Sequence, residues 1–372
     1  MTDSGNTTTT NLPPTPTPFE TLIPNAEIPE SLSSAAASPK SEGASTEPEP
    51  KAVAAATESS ESSGGEVVFV GRKNRAVSWG YSLNIGRRRG MEDTLTIVPS
   101  FMKIPCASVG GCTAPECTYV TEESSVHYFG LFDGHGGSEV SRYCSKSLHE
   151  LLAEEWEKGS GEDQWNKRWT GALVRAYNRA DDAPDTVGST AVVVILSACQ
   201  IIVANCGDSR AVLCRGNQVI PLTVDHKPDR DDEVIRVTEA GGRILYVGCP
   251  TVEGVLTMTR AIGDQDLKPW IISEPEVTVL TRTDTDECLI LASDGLWDVM
   301  SNEKVMAMAR RMLRELRNQY ATAANGSVGP AQYVAEEVLK NALQTSTDNV
   351  SIIVVDLKRL RRRMQQKAEA DI

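Results

Sequence analysis

The sequence predicts an α+β domain of β-sheets covered by helices, and three observations predict it. Strand-like runs outnumber helical ones between Val67 and Leu357. The helical segments fall in pairs between groups of strands, without a regular strand–helix–strand alternation. The runs GSTAVVVILS, QIIVANCGDS and AVLCRG are short, β-branched and punctuated by Gly, Asp and Asn. No internal repeat is visible.

The chain has 372 residues and a net charge of −14. Residues 1–65 are rich in Ser, Thr, Pro, Ala and Glu, with almost no clusters of apolar residues to bury, so they are expected to be disordered. Residues 66–358 form the folded part, and 359–372 a basic tail that reads either as a nuclear import signal or as a solvated helix end. The acidic balance argues against nucleic acid as a partner and suits divalent cations. The nine cysteines are odd in number and scattered, which fits reduced thiols in the cytosol or nucleus. Cys106, Cys112 and Cys117 share one loop, but no C-x-x-C pair occurs, so zinc is not expected. The N-terminus has no basic-then-apolar leader, and no apolar run approaches the roughly 18 residues of a membrane span. A soluble, monomeric protein of nucleus and cytoplasm, with no membrane partner, is expected.

In chain order, AVSWGYSLNIG alternates as a strand does, and GRRRGMEDTLTIVPSF follows. A loop is expected from about Met102 to Ser125. Tyr128–Phe132 reads as a buried strand running into Asp133-Gly134-His135-Gly136-Gly137, where the glycines allow a tight backbone. Ser138 is placed as the N-cap of a helix reaching Gly159. A second helix covers about Gln164 to Ala180, with Trp165, Trp169, Leu173, Val174 and Tyr177 at core spacing. The β-branched runs after it read as an antiparallel meander. A helix from about Asp229 ends at Gly241-Gly242, and RILYVG reads as a strand. CLILASDG is a buried strand ending in Asp-Gly. Ser301 caps a helix to about Gln319, another runs from about Ala331 to Leu343, and NVSIIVVDL is the last strand.

Four aspartates stand at or just beyond strand ends: Asp133, Asp208, Asp294 and Asp348, with Asp93 a fifth candidate. Each alone is an ordinary turn residue; together they suggest a common edge. Crowded carboxylates resist ionising together unless a cation binds. Their hard oxygens select Mg²⁺ or Mn²⁺. Two such ions can share a water and lower its pKa for an in-line attack on phosphorus. Arg88 offers a planar fork for phosphate oxygens, and His135 titrates in the range for general acid work. Neither a nucleotide-binding P-loop nor a nucleophile elbow is present.

R-x-x-M-E-D (Arg88–Asp93), F-D-G-H-G-G (Phe132–Gly137), V-G-S-T-A (Val187–Ala191), N-C-G-D-S-R-A (Asn205–Ala211), H-K-P (His226–Pro228), T-R-A-I-G-D (Thr259–Asp264), S-D-G-L-W-D-V (Ser293–Val299) and D-N-V-S (Asp348–Ser351) occur in this order. Together they resemble the metal-dependent serine/threonine protein phosphatases of type 2C, over roughly Trp79 to Leu357. The resemblance implies a pair of packed antiparallel β-sheets flanked by helices. It implies that Asp133 bridges two metals and that Gly134 lends its carbonyl. It gives Asp294 and Asp348 to the first ion and Asp93, backed by Glu92, to the second. Arg88 would hold phosphate and His135 would protonate the leaving oxygen. Asp208 and Asp298 match positions that hold a looser third ion in some members.

The wording of VANCGDSRAVLCRG and DHKPDRDDEVIRVTEAGGRI resembles the plant subgroup that switches off abscisic acid signalling by dephosphorylating Snf1-related kinases. Most of that subgroup carries a tryptophan that enters the gate of the hormone receptors. Here the aligned residue is Val247, with Thr251 and Glu253 replacing a neighbouring Arg and Phe of the usual pattern. Weak or absent receptor inhibition is expected, as in the germination-specific branch, where a seed-dormancy regulator of the delay-of-germination type is an implied partner. The alternatives are a catalytically weak scaffold that binds and blocks kinases, and a two-metal nuclease, which the acidic balance disfavours.

Overall fold

The computed structural model describes residues 77–110, 123–159, 164–181, 187–320 and 329–358. The segment 1–65, Cys112 and Cys117, and the tail from 359 lie outside them.

Two five-stranded antiparallel sheets form the frame. The first holds β2 (Thr94–Pro105), β3 (Glu123–Phe132), β6 (Ala191–Leu196), β7 (Gln200–Cys206) and β13 (Glu276–Thr281), in the order β13-β7-β6-β3-β2. The second holds β1 (Ser78–Asn84), β8 (Arg210–Arg215), β9 (Gln218–Pro221), β14 (Asp286–Ala292) and β15 (Val350–Asp356), in the order β1-β15-β14-β8-β9. The short β4 (Gly134–His135), β5 (Gly188–Ser189) and β12 (Ile262–Gly263) form a small third sheet, and β10 (Ile244–Tyr246) pairs with β11 (Pro250–Val252). The helices are α1 (Glu139–Lys158), α2 (Trp165–Asp181), α3 (Asp231–Glu239), α4 (Asp294–Trp297), α5 (Asn302–Tyr320) and α6 (Pro330–Ala342).

Strand periodicity assigns every layer. Phe129, Leu131, Val192, Val194 and Val203 face Leu213, Leu289, Leu291, Ile353 and Val355 of the other sheet. The alternate residues Tyr128, Phe132, Val193, Ile195 and Ala204 meet Val140, Cys144, Leu148, Trp169, Leu173 and Tyr177 of α1 and α2. On the opposite flank Val212, Ile290, Ile352 and Val354 meet α5 and α6 through Val305, Leu313, Val334 and Val338. Both faces of the inner strands are dry, so these strands read as continuous apolar runs.

Four expectations change. The meander is broken: β6 and β7 pair, but at Gly207-Asp208-Ser209 the chain crosses sheets and β8 pairs with β14 and β9. The loop expected from Met102 is shorter, because after an irregularity at Ser100 the strand resumes and pairs Met102–Pro105 with Glu123–Val126. Ser138 makes no side-chain cap; its carbonyl accepts from Arg142 N at 3.0 Å instead. Asp294 opens α4 rather than ending a strand turn. No helix among the described residues is long and apolar enough to cross a membrane.

Candidate active site

The aspartates collect where the two sheets end side by side. Asp133 follows β3 of one sheet, while Asp294 follows β14 and Asp348 precedes β15 of the other. Asp208 sits in the crossing between β7 and β8. Asp93 immediately precedes β2, and Gly134 opens β4.

Backbone contacts hold each of these in place. Asp133 N donates to Thr190 Oγ1 at 3.1 Å, and Thr190 N returns a bond to the Asp133 carbonyl at 2.8 Å. Gly134 N donates to the Glu92 carbonyl, tying the loop from Ile85 to Asp93 to the central turn. A Cβ at Gly134 would stand 2.7 Å from that carbonyl oxygen, so no larger residue fits. Asn349 fastens the same loop: its Oδ1 accepts from Glu92 N at 2.7 Å, and its Nδ2 donates to the carbonyls of Ile85 and Gly90. Arg88 Nη2 reaches Asp348 Oδ2 at 2.5 Å from an exposed position at the rim.

The carboxylates are crowded and poorly satisfied. Asp93 is 2% exposed; its Oδ2 accepts from Ser293 Oγ at 2.9 Å and its Oδ1 is buried without a partner. Asp208 is fully buried, with Lys227 on one oxygen and none on the other. Burial, and then the charges of Asp93, Asp294 and Asp208, push the Asp133 carboxyl well above the usual range. Asp93 shifts upward chiefly through burial, with the charge of Asp348 adding in the same direction. Asp294 is pushed up to about 7, first by burial and then by Asp208 and Asp298. Asp298 is exposed and raised in the same direction, burial first. Oxygen donors that resist ionising for want of a counter-charge fit a hard divalent cation.

His135 adds a pair that sequence reading missed. Its Nε2 lies 2.7 Å from Asp264 Oδ2. An ionised carboxylate only accepts, so Nε2 carries the hydrogen. A Cβ on Gly188 would stand 2.1 Å from Asp264 Oδ2 and 2.3 Å from His135 Nε2, so a bare backbone at 188 is what lets the two meet. Asp264 stood inside the T-R-A-I-G-D motif, yet nothing local to that motif pointed to His135. Lys227 of H-K-P likewise acquires a role only through Asp208.

Outside this edge, His226, Glu233 and Glu276 also converge. Their carboxylates are held by Arg230, Arg236 and Arg260, so cations already fill the place a metal would take. Val247 stands 63% exposed beside Tyr246, 78% exposed, where the chain turns between β10 and β11. Thr251 is buried, its hydroxyl on the Leu245 carbonyl. Glu253 is clasped by Arg243 Nη2 at 2.6 Å.

The profile of the Protein phosphatase 2C family matches residues 81–350. A rice relative, "Probable protein phosphatase 2C 6", is 45% identical over 309 residues, covering 75% of this chain and 66% of its own length. Arabidopsis thaliana "Protein phosphatase 2C 77" is 44% identical over 308 residues, covering 76% and 72%. Among solved structures, a Toxoplasma gondii serine-threonine phosphatase 2C aligns over 78% of this chain and 98% of its own at a TM-score of 0.56 and 24% identity, a likeness of fold.

Proposed function

The chain belongs to the protein phosphatase 2C family, the metal-dependent serine/threonine phosphatases, and from that premise we propose that it hydrolyses phosphoserine and phosphothreonine in protein substrates. One observation carries this reading: buried, partnerless carboxylate oxygens gather on one sheet edge beside a rim arginine and a histidine–aspartate pair. Asp133, the Gly134 carbonyl, Asp294 and Asp348 would hold one ion, and Asp133 and Asp93, supported by Glu92, the other. Asp208 and Asp298 would favour a third. Mg²⁺ or Mn²⁺ held there would lower the pKa of a water and screen charge on the phosphoryl group. Arg88 grips the phosphate oxygens with its planar fork, exchanging its bond to Asp348 for the substrate. His135 gives a proton to the departing serine or threonine oxygen, and Asp264 holds the imidazole oriented for it.

The test is phosphate release from a phosphoserine peptide with Mg²⁺ or Mn²⁺, with EDTA, and with Asp133→Ala. Turnover that needs metal and vanishes in the variant is expected. A folded, metal-loaded wild type without turnover would refute the reading and favour a scaffold that only binds kinases.

The plant relatives and the subgroup wording support a narrower role: a negative regulator of abscisic acid signalling, in nucleus and cytoplasm, acting on Snf1-related kinases and associated with a seed-dormancy regulator. Hormone receptors would inhibit it weakly. Val247 lacks the area of an aromatic anchor, and Glu253 keeps its charge engaged with Arg243 at the same hairpin. Val247→Trp is expected to gain receptor-and-hormone inhibition. Potent inhibition of the wild type, with Tyr246 supplying the aromatic contact, would overturn this.

A further inference from the structure

A cavity of about 190 Å³ opens at the end of the sandwich remote from the aspartates. Its walls include Glu123, Ser124, Ser125 and His127 of β3, Ser197 of the β6–β7 turn, and Arg282 just past β13. The cavity wall reaches His127 on β3, six residues before Asp133, so about 20 Å of strand separates this cavity from the catalytic candidates. No step of the proposed phosphatase reaction uses it.

Arg282 is the unusual member. It is 2% exposed. Its Nη1 donates to the Ser197 carbonyl at 2.8 Å, while its Nε–H is buried with no hydrogen-bond partner. The neighbouring carboxylate of Asp286 is engaged elsewhere, by Arg215 Nε at 2.6 Å and by Thr283 N at 2.9 Å. Among the described residues no carboxylate forms an ion pair with Arg282. A guanidinium does not shed its proton, and burying it away from any counter-charge is strongly unfavourable. Among the described residues, Glu155, Glu233, Glu287 and Asp286 each receive arginine side chains as counter-charges.

The walls also supply donors. Ser125, on the same face of β3 as His127, contributes a hydroxyl. His127 Nδ1 accepts from Ser100 N at 3.2 Å, which leaves Nε2 as the protonated nitrogen of the neutral ring. The volume far exceeds the roughly 10–15 Å³ that one water needs. We propose that this cavity binds a small oxyanion of the size of inorganic phosphate or sulfate, with Arg282 as its counter-charge and Ser125 as a hydrogen-bond donor. Glu123, exposed at the rim, is the intrinsic competitor.

The test uses the full chain in EDTA, so that metals do not recruit phosphate to the other edge. Inorganic phosphate or sulfate is titrated against chloride at matched ionic strength, with melting temperature and calorimetry as readouts. A saturable upward shift is expected in the wild type and equally in Arg88→Gln. Arg282→Gln should weaken phosphate affinity by about tenfold or more. Ser125→Glu, which places a carboxylate at the cavity without removing the arginine, should abolish the shift even if Arg282→Gln folds poorly. The site is overturned by no saturable shift, by an equal effect of chloride, by loss of the shift in Arg88→Gln, or by a shift that survives Ser125→Glu.

Discussion

At the scale of single residues, partners decide what each ionisable side chain can do. His135 and Asp264 lie 129 positions apart in sequence and 2.7 Å apart in space. If Asp264 orients the imidazole for proton transfer, Asp264→Asn should lower kcat on a phosphoserine peptide by about 10- to 100-fold. Activity on p-nitrophenyl phosphate, whose leaving group needs no proton, should fall far less, and an equal loss on both would refute the positioning role. Glu233 shows the opposite electrostatic case. Burial opposes its ionisation, but Arg260, Arg236 and Thr259 overcome it and pull the carboxyl down to about 2. The folded value lies below the unfolded 4.5, so the stabilisation is complete above about pH 4.5 and is lost as pH falls towards 2. It amounts to about 3 kcal/mol. Glu233→Gln should therefore destabilise strongly at pH 6 and much less at pH 3, as urea denaturation would show.

At the scale of elements, α1 and α2 act as one lid on the β2–β13 sheet. Trp156 and Trp169 stack at 4.1 Å between the two helices. The Tyr177 hydroxyl reaches the carbonyls of Ala191 and Ala204 at 3.3 and 3.1 Å. Leu148 sits in that interface, 1% exposed, and Leu148→Ala should cost about 2–5 kcal/mol in chemical denaturation. The register of β3 carries function as well as packing. Slipping it by one residue would turn Phe129 and Leu131 towards α1 and displace Asp133 from the carboxylate edge.

At the scale of the whole molecule, the carboxylate edge joins the two sheets. Asp133 belongs to one sheet, Asp294 and Asp348 to the other, and Asp208 to the crossing between them. Their mutual repulsion weakens the metal-free fold, and a cation shared among them would tie the sheets together. Mg²⁺ or Mn²⁺ should therefore raise the melting temperature above that in EDTA. Asp294→Asn should melt a few degrees higher than the wild type in EDTA, about 2–4 °C per kcal/mol relieved. The same variant should lose most of the metal-induced rise. Scanning calorimetry checks both outcomes.

The sequence by itself determined the elements and the residues of the carboxylate edge. Strand runs such as AVVVIL and the helix carrying Trp169, Leu173 and Tyr177 announce themselves because side-chain periodicity is local. An aspartate at or just beyond an apolar strand is equally local, so Asp133, Asp208, Asp294 and Asp348 were legible. Only the tertiary structure decided that β7 and β8 lie in different sheets, since each is as apolar as the other and nothing in their composition names a partner. It alone brought Asp264 to His135 and Lys227 to Asp208, and left Arg282 without an ion pair among the described residues. Those outcomes depend on which distant strands hydrogen-bond, and that choice is made by how both faces of each sheet are buried rather than by any residue's neighbours in the chain.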